Sequence, residues 1–318
     1  MTRPADQASL QPPLLGVVGP TAAGKTDLAL ALARRLPVEI LVADSRQVYR
    51  GMDIGTAKPN AAARERVRHH LIDLVEPDEP FTVADWVDRA RAVIPEIAAR
   101  GRLPLVVGGT GLYVSALVDG HDYAAQPWSP ELRQRLADEL EAEGLEPLVA
   151  RLRNADPAIA ATIDLRNPRR VLRALERVET GGEGATPRAT PYAGRVALVG
   201  IDRPRAVLYR RVDERAAWLF EHGLLDEVRA LQAAGYGAGL RPMTGHGYAE
   251  AAAVLAGEWG LERAVAVTAQ RTRQYAKRQL TWFKRDPRLL WILAGDAHAD
   301  APRIVDRAER LLRAAALS

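Results

Sequence analysis

Apolar positions along the chain follow two periods. Short continuous runs occur at Leu14–Val18 (LLGVV), Val38–Ala43 (VEILVA), 103–107 (LPLVV) and 196–201 (VALVGI). Runs of four to eight residues bounded by turn residues predict strands buried on both faces, as in a parallel sheet. Between them, 26–35 and 83–100 are apolar at helical spacing and are stopped by Pro37 and Gly101. Strands alternating with helices of this length predict an α/β fold, a parallel sheet covered by helices on both faces.

The texture changes after about residue 120. Stretches 130–152, 156–163 and Pro168–Glu179 read as helices with Arg/Glu-rich faces and no strand signal, and 181–191 (GGEGATPRATP) reads as a linker. Residues 121–195 are therefore expected to form a helical insertion domain between two parts of the core, 14–120 and 196–295. A polar, disordered lead-in (1–13) and an amphipathic C-terminal helix (296–318) complete the expected organisation.

Composition narrows the class. The chain has 318 residues, 47% of them hydrophobic and none of them cysteine, so disulfides and thiolate zinc sites are excluded. No apolar run is long enough to cross a bilayer, and residues 1–13 lack a signal-peptide core. A soluble cytoplasmic protein without membrane contact is the economical reading, and a monomer is expected. Of 44 basic residues only four are lysines (Lys25, Lys58, Lys277, Lys284), and the formal net charge of +4 hints only weakly at a polyanionic partner. The histidines show no metal-ligand spacing with acids, so structural or surface roles are expected of them.

The segment Gly19, Pro20, Thr21, Ala22, Ala23, Gly24, Lys25, Thr26 fits G-x-x-x-x-G-K-[ST] between a strand and a helix. That pattern builds a loop whose backbone N–H groups cradle phosphate oxygens, with Lys25 above them and the Thr26 hydroxyl on Mg²⁺. It makes the sheet P-loop NTPase-like. Yet the apolar strand 103–107 runs into Gly108, Gly109 and Thr110, with no carboxylate to order a metal for hydrolysis. Nucleoside triphosphate hydrolysis is weakened, though a small-molecule kinase remains open.

Asp44 ends the second strand in VADSRQVY, on the rim that bears the phosphate loop. It suits a general base, a metal ligand or an acceptor-binding group, or else a plain helix N-cap. The stretch 49–59 (YRGMDIGTAKP) has the composition of a binding loop. Near the carboxyl end, 271–285 (RTRQYAKRQLTWFKR) interleaves six cations with Tyr275, Trp282 and Phe283. Arg271, Lys277 and Arg278 are expected near one face and Tyr275 and Trp282 on another. Phosphate-backbone binding competes there with an ordinary solvated helix.

Taken together, GPTAAGKT (19–26), ADSRQVYRGMDIGTAKP (43–59), HHLID (69–73), GGTGLY (108–113) and RQYAKRQLTWFKR (273–285) resemble the tRNA dimethylallyltransferase family in order and spacing. The resemblance implies transfer of a dimethylallyl group from dimethylallyl diphosphate to N6 of adenine 37 in tRNAs that read codons beginning with U. The loop would hold the diphosphate, with Mg²⁺ at Thr26. Asp44 would be the base, and Thr21 and Arg215 (with Arg211 as second choice) would act on the leaving group. It further implies that Asp44, Ser45, Arg46, Gln47 and Thr110 line the nucleotide end of a channel. Arg169, Arg170, Val171, Leu172 and Arg173, in a helix (167–176) similar to the family's RNA-contacting one, would grip the anticodon stem-loop together with Arg133, Lys277, Arg278, Lys284 and Arg285. The run Thr244, Gly245, His246, Gly247, Tyr248 would also meet tRNA, although GHGYAE departs from the family's A-I-G-Y-[KR]-E by placing His246 and Ala249 there. An isopentenyltransferase for free AMP, or an RNA-binding module with a relic loop, are the alternatives.

Overall fold

The structure, a computed structural model, describes residues 11–120, 129–180, 190–299 and 301–316. Two compact units divide the chain: one joins the segments up to Asp119 and from Pro191 onward, the other is Gly120–Thr190.

The larger unit is α/β. Its first half runs β1 (Leu14–Val18), α1 (Lys25–Ala33), β2 (Val38–Ala43), α2 (Ala61–Arg66), β3 (His69–His70), α3 (Val83–Ala99), β4 (Leu103–Gly108) and α4 (Gly111–Asp119). All pairings are parallel, and the six-stranded sheet has the order β3-β2-β4-β1-β5-β6, with β5 at Val196–Asp202 and β6 at Leu289–Leu293. The two edge strands were not expected. β3 has only two residues, both histidines, too few to carry a pattern. β6 is a continuous apolar run, LLWIL, that the alternation could have included.

The helical unit holds α5 (Pro130–Glu143), α6 (Leu145–Ala155), α7 (Pro157–Thr162) and α8 (Pro168–Glu179). The single helix expected at 130–152 is two, because Gly144 adopts φ 81° at the break, where glycine costs little and other residues are strained. Leu136, Leu148, Leu152, Val171 and Leu175 form its own small core.

Back in the larger unit, β5 leads to α9 (Arg205–Glu221), α10 (Leu224–Ala233), α11 (Tyr248–Leu255), α12 (Leu261–Phe283) and, after β6, α13 (Pro302–Ala316). Leu15, Val17, Leu28, Leu32, Ile40, Leu105, Val199 and Ile201 form the core between sheet and helices, and Ile304, Val305, Ala308 and Leu312 of α13 belong to the same cluster. The C-terminal helix is therefore a structural layer of the core, not an appendage. Of the expected lead-in, residues 1–10 lie outside the described part. Residues 11–13 are held: the Tyr192 hydroxyl donates to the Pro12 carbonyl at 2.6 Å. The linker at 181–189 and His121 also lie outside the described residues.

Candidate active site

Between β1 and α1 the loop takes the shape its glycines allow. Gly19 has φ 141°, and a Cβ there would stand 2.8 Å from the Ile201 carbonyl; Gly24, φ 93°, caps α1. The loop's carbonyls are turned into the protein and bound by cations. Lys25 Nζ donates to Pro20 O (2.7 Å), Arg211 Nε to Ala22 O (2.9 Å) and Arg203 Nε to Ala23 O (2.9 Å). No side chain caps the first turn of α1, whose leading N–H groups have no intrahelical partner and so remain available to an anion. Thr21 is different. Its N–H donates to Gln279 Oε1 at 2.8 Å, so Thr21 offers a ligand its hydroxyl rather than its amide.

A cavity of about 180 Å³ opens over this loop, lined by Thr21, Lys25, Thr26, Asp44, Arg211 and Arg215 with Ala29, Ile40, Val42 and Val107 among its apolar neighbours. Burial pulls the Lys25 amine down to about 8, against the opposing influence of Asp44 and with a further lowering from Arg215. The Arg215 guanidinium is likewise disfavoured by burial and balanced at a distance by Asp44 and Asp27. It makes no ion pair or hydrogen bond among the described residues. Two enclosed cations face an open space with one carboxylate beside them, an arrangement whose uncompensated positive charge suits an anion.

Asp44 follows β2 directly. Its Oδ1 accepts the Arg46 N–H at 2.9 Å, closing an Asx turn, and no helix follows, which removes the N-cap reading. The other carboxylate oxygen has no hydrogen-bond partner among the described residues. Thr110 braces the turn: it accepts the Ser45 N–H (3.0 Å) and donates its own N–H to Ala43 O (3.1 Å). Tyr275 meets Thr110 and Gln279, and burial pushes its phenol up to about 12, so it is a neutral hydrogen-bonding group.

The remaining predicted residues divide between exposed and engaged. Arg46 donates to the carbonyls of Arg241 (2.9 Å) and Pro242, and Gln47 Nε2 to those of Thr56 (3.0 Å) and Ala57 (3.3 Å). Both hold protein loops rather than standing free. In 49–59, the N–H groups of Asp53, Ile54 and Gly55 all bind the Glu227 carboxylate (2.8, 2.6 and 3.1 Å), which also accepts the Tyr248 hydroxyl (2.6 Å). Lys58, 1% exposed at its side chain, pairs with Asp53 (2.7 Å) and Asp73 (2.5 Å). This segment is thus a braced cavity wall, contributing Thr56, Ala57 and Pro59.

In the run 244–248, Tyr248 is buried against Gly55, and Gly245 and Gly247 are buried too. Thr244 is exposed and His246 half-buried. The His246 ring meets Tyr275 edge-on, with centroids 5.5 Å apart, and burial together with Arg271 pulls it down to about 4, so the imidazole is neutral.

On α12 the expected division of faces is corrected. Arg271 lies on the inward stripe with Tyr275, Gln279 and Phe283, bound to the buried Glu250 and to Thr244 O (3.3 Å), because residues four apart share a helix face, whereas Trp282 is exposed. Arg273 pairs with Asp213, and Lys284 lies 3.3 Å from Asp202. Lys277, Arg278, Lys284 and Arg285 are exposed, with Arg278 over the Tyr275 ring at 5.7 Å.

Within the helical unit, Arg169 and Arg170 are exposed. Arg133 and Arg173 instead bind the buried Glu176, at 2.7 Å each. Val171 is 0% exposed, and half-buried Leu172 packs against that core, so both support the helix.

Three residues escaped the sequence reading: Gln279, Arg203 and Glu227. Gln279 had a signal, since it continues the inward stripe of Tyr275 by one turn. The other two had none, being single polar residues whose partners are loop backbones distant in sequence.

The family model described as IPP transferase matches residues 47–286, and one described as isopentenyl transferase matches residues 13–76. The chain belongs to the IPP transferase family. It is 45% identical over 285 residues to a tRNA dimethylallyltransferase of Heliobacterium modesticaldum, covering 87% of this chain and 88% of that one. A tRNA dimethylallyltransferase of Syntrophobacter fumaroxidans is 46% identical over 300 residues, covering 92% and 87%. Among solved structures, the full-length tRNA isopentenylpyrophosphate transferase of Bacillus halodurans aligns with TM-score 0.67 and 37% identity, covering 95% of this chain and 99% of that one. That structure shares the fold, and the cavity described above lies within the matched segments.

Proposed function

We propose that the protein transfers the dimethylallyl group of dimethylallyl diphosphate to N6 of adenine 37 in the anticodon loop of tRNAs that read codons beginning with U. The observation that carries this reading is the cavity itself: Lys25 and Arg215, both enclosed, face the same space as Asp44, which keeps one oxygen unbonded.

The exocyclic amine of adenine is a poor nucleophile because its lone pair is delocalised into the ring. Alkylation needs an acceptor for the N6 proton and stabilisation of the departing diphosphate. Asp44 takes the proton. The C1–O bond of the donor breaks as the N6–C1 bond forms, and the negative charge moves to a diphosphate held by the α1 N-terminus, Lys25, Arg215 and the Thr21 hydroxyl. Thr26 offers a hydroxyl oxygen to the cavity, and no cluster of three or more His, Cys, Asp or Glu that could hold a metal occurs among the described residues. A lone hydroxyl suits a hard cation that takes most of its ligands from the substrate, so Thr26 would hold Mg²⁺, which would supply charge neutralisation at the leaving group. To reach Asp44 the base must leave its stack, which costs a few kcal/mol and least in a loop. Exposed Arg169, Arg170, Lys277, Arg278, Lys284 and Arg285 would engage the stem-loop phosphates.

The test is incubation with unmodified tRNA and labelled dimethylallyl diphosphate, followed by nucleoside analysis. Label is expected in N6-dimethylallyladenosine. Asp44→Ala is expected to keep tRNA binding while transfer falls about 10²–10⁴-fold, the range for a lost general base. Transfer near the wild-type rate would remove Asp44 from the role.

A further inference from the structure

Gln279 is a buried polar side chain, 6% exposed, for which the transfer mechanism has no use. Its two ends bind two different parts of the site. Oε1 accepts the Thr21 N–H of the phosphate loop, and Nε2 donates to the Gly109 carbonyl beyond β4, each at 2.8 Å. The fit is close: a Cβ on Gly109 would lie 2.3 Å from Nε2. Thr110, next in the chain to Gly109, braces the Asp44 turn through Ser45. Gln279 thus joins the phosphate loop to the strand end that holds the base. One turn earlier on the same helix, Tyr275 touches both Gln279 and Thr110, and exposed Arg278 lies over the Tyr275 ring.

We infer that Gln279 is a positioning residue that couples the two substrates: contact of RNA with the Arg278 end of α12 fixes Tyr275 and Gln279, and through them the Thr21 segment of the diphosphate cradle. This rests on the prenyl-transfer reading of the site. The coupling is a free energy shared between two ligands, so it must act in both directions.

The experiment measures the dissociation constant of inorganic pyrophosphate with Mg²⁺, with and without a saturating unmodified anticodon stem-loop RNA. It is run on the full-length protein and on Gln279→Leu and Gly109→Ala. In the wild type the stem-loop is expected to tighten pyrophosphate at least about fivefold, the lower range of measured couplings. Gln279→Leu is expected to bring that ratio close to one and to raise the KM for dimethylallyl diphosphate, while stem-loop affinity is unchanged. Gly109→Ala displaces the same amide from its far side and should reproduce the loss if Gln279→Leu does not fold. A ratio near one in the wild type, or a wild-type ratio in either folded variant, overturns the coupling. Absence of prenyl transfer by the wild type would instead overturn the reading on which it rests.

Discussion

Two loops on the same rim, 19–24 and 52–57, are both built to bind an anion, and only one of them keeps its place open. In the first, carbonyls are bound by Lys25, Arg211 and Arg203, while the leading amides of α1 have no capping side chain. In the second, three successive amides converge on a carboxylate that the chain itself supplies, Glu227. Adjacent N–H groups pointing one way attract negative charge in either case. The difference lies in whether α10 brings that charge with it. A filled nest is a braced wall, and an open one leaves its amides to a ligand.

If that distinction is right, removing a charge should hurt each loop in a different currency. The largest effect belongs to the open loop. Lys25→Met removes an enclosed cation from the proposed leaving-group site, and kcat/KM for dimethylallyl diphosphate is expected to fall about 10²–10³-fold, as for loss of one preorganised electrostatic donor. Thermal stability should hold or rise, because an amine pulled down to about 8 by burial is strained at neutral pH. A variant that lost stability in step with activity would make Lys25 a structural residue and erase the contrast.

The filled loop should show the reverse. Glu227→Ala leaves three amides and the Tyr248 hydroxyl without their acceptor, and a loss of about 2 kcal/mol in unfolding free energy is expected, allowing for water at the exposed amides. Because Thr56 and Ala57 line the cavity, KM for the donor should rise more than kcat falls. Denaturant titration and steady-state kinetics read both. Unchanged stability would mean that the wall does not need its carboxylate.

A smaller effect separates the loops by pH. Lys25 is protonated below about 8 and loses its charge above it in the unliganded protein, whereas a bound diphosphate favours the charged form. Diphosphate affinity should therefore be flat below pH 8 and weaken by up to about tenfold per pH unit above it, one proton being taken up on binding. Lys25→Met should abolish that slope and leave a shallower one from other groups. Pyrophosphate binding by calorimetry in buffers of different ionisation enthalpy measures the proton directly.

How much of this the sequence carried depends on the range of the interaction. The phosphate loop was legible because its glycines answer to local backbone conformation, as Gly19 and Gly24 show. Asp44 was legible because strand ends in a parallel sheet face one rim. The helix break at Gly144 had the residue to announce it, but periodicity ran on across it. What could not be read was partnership: that the amides of 53–55 were already occupied, that Arg271 turned inward to Glu250, and that Gln279 reached Thr21. Each depends on which polar group a distant helix presents, and composition looks the same for a donor awaiting a ligand and one already satisfied.

The cations of α12 test that last point at the smallest scale. Arg273 has a carboxylate partner in Asp213, whereas Lys277 and Arg278 are exposed without one among the described residues. A cation that neutralises a phosphate displaces one condensed counterion, so each removed contact should flatten the dependence of log Kd on log salt by about 0.7–0.9. Lys277→Ala and Arg278→Ala should each do so for an anticodon stem-loop, with affinity at fixed salt falling by about tenfold or less, a typical single phosphate contact. Arg273→Ala, whose charge is already answered within the protein, should leave the slope as it was. Equal slopes for all three would place the RNA elsewhere, and the exposed cations of this helix would then be solvated surface, filled by water as the 53–55 nest is filled by Glu227.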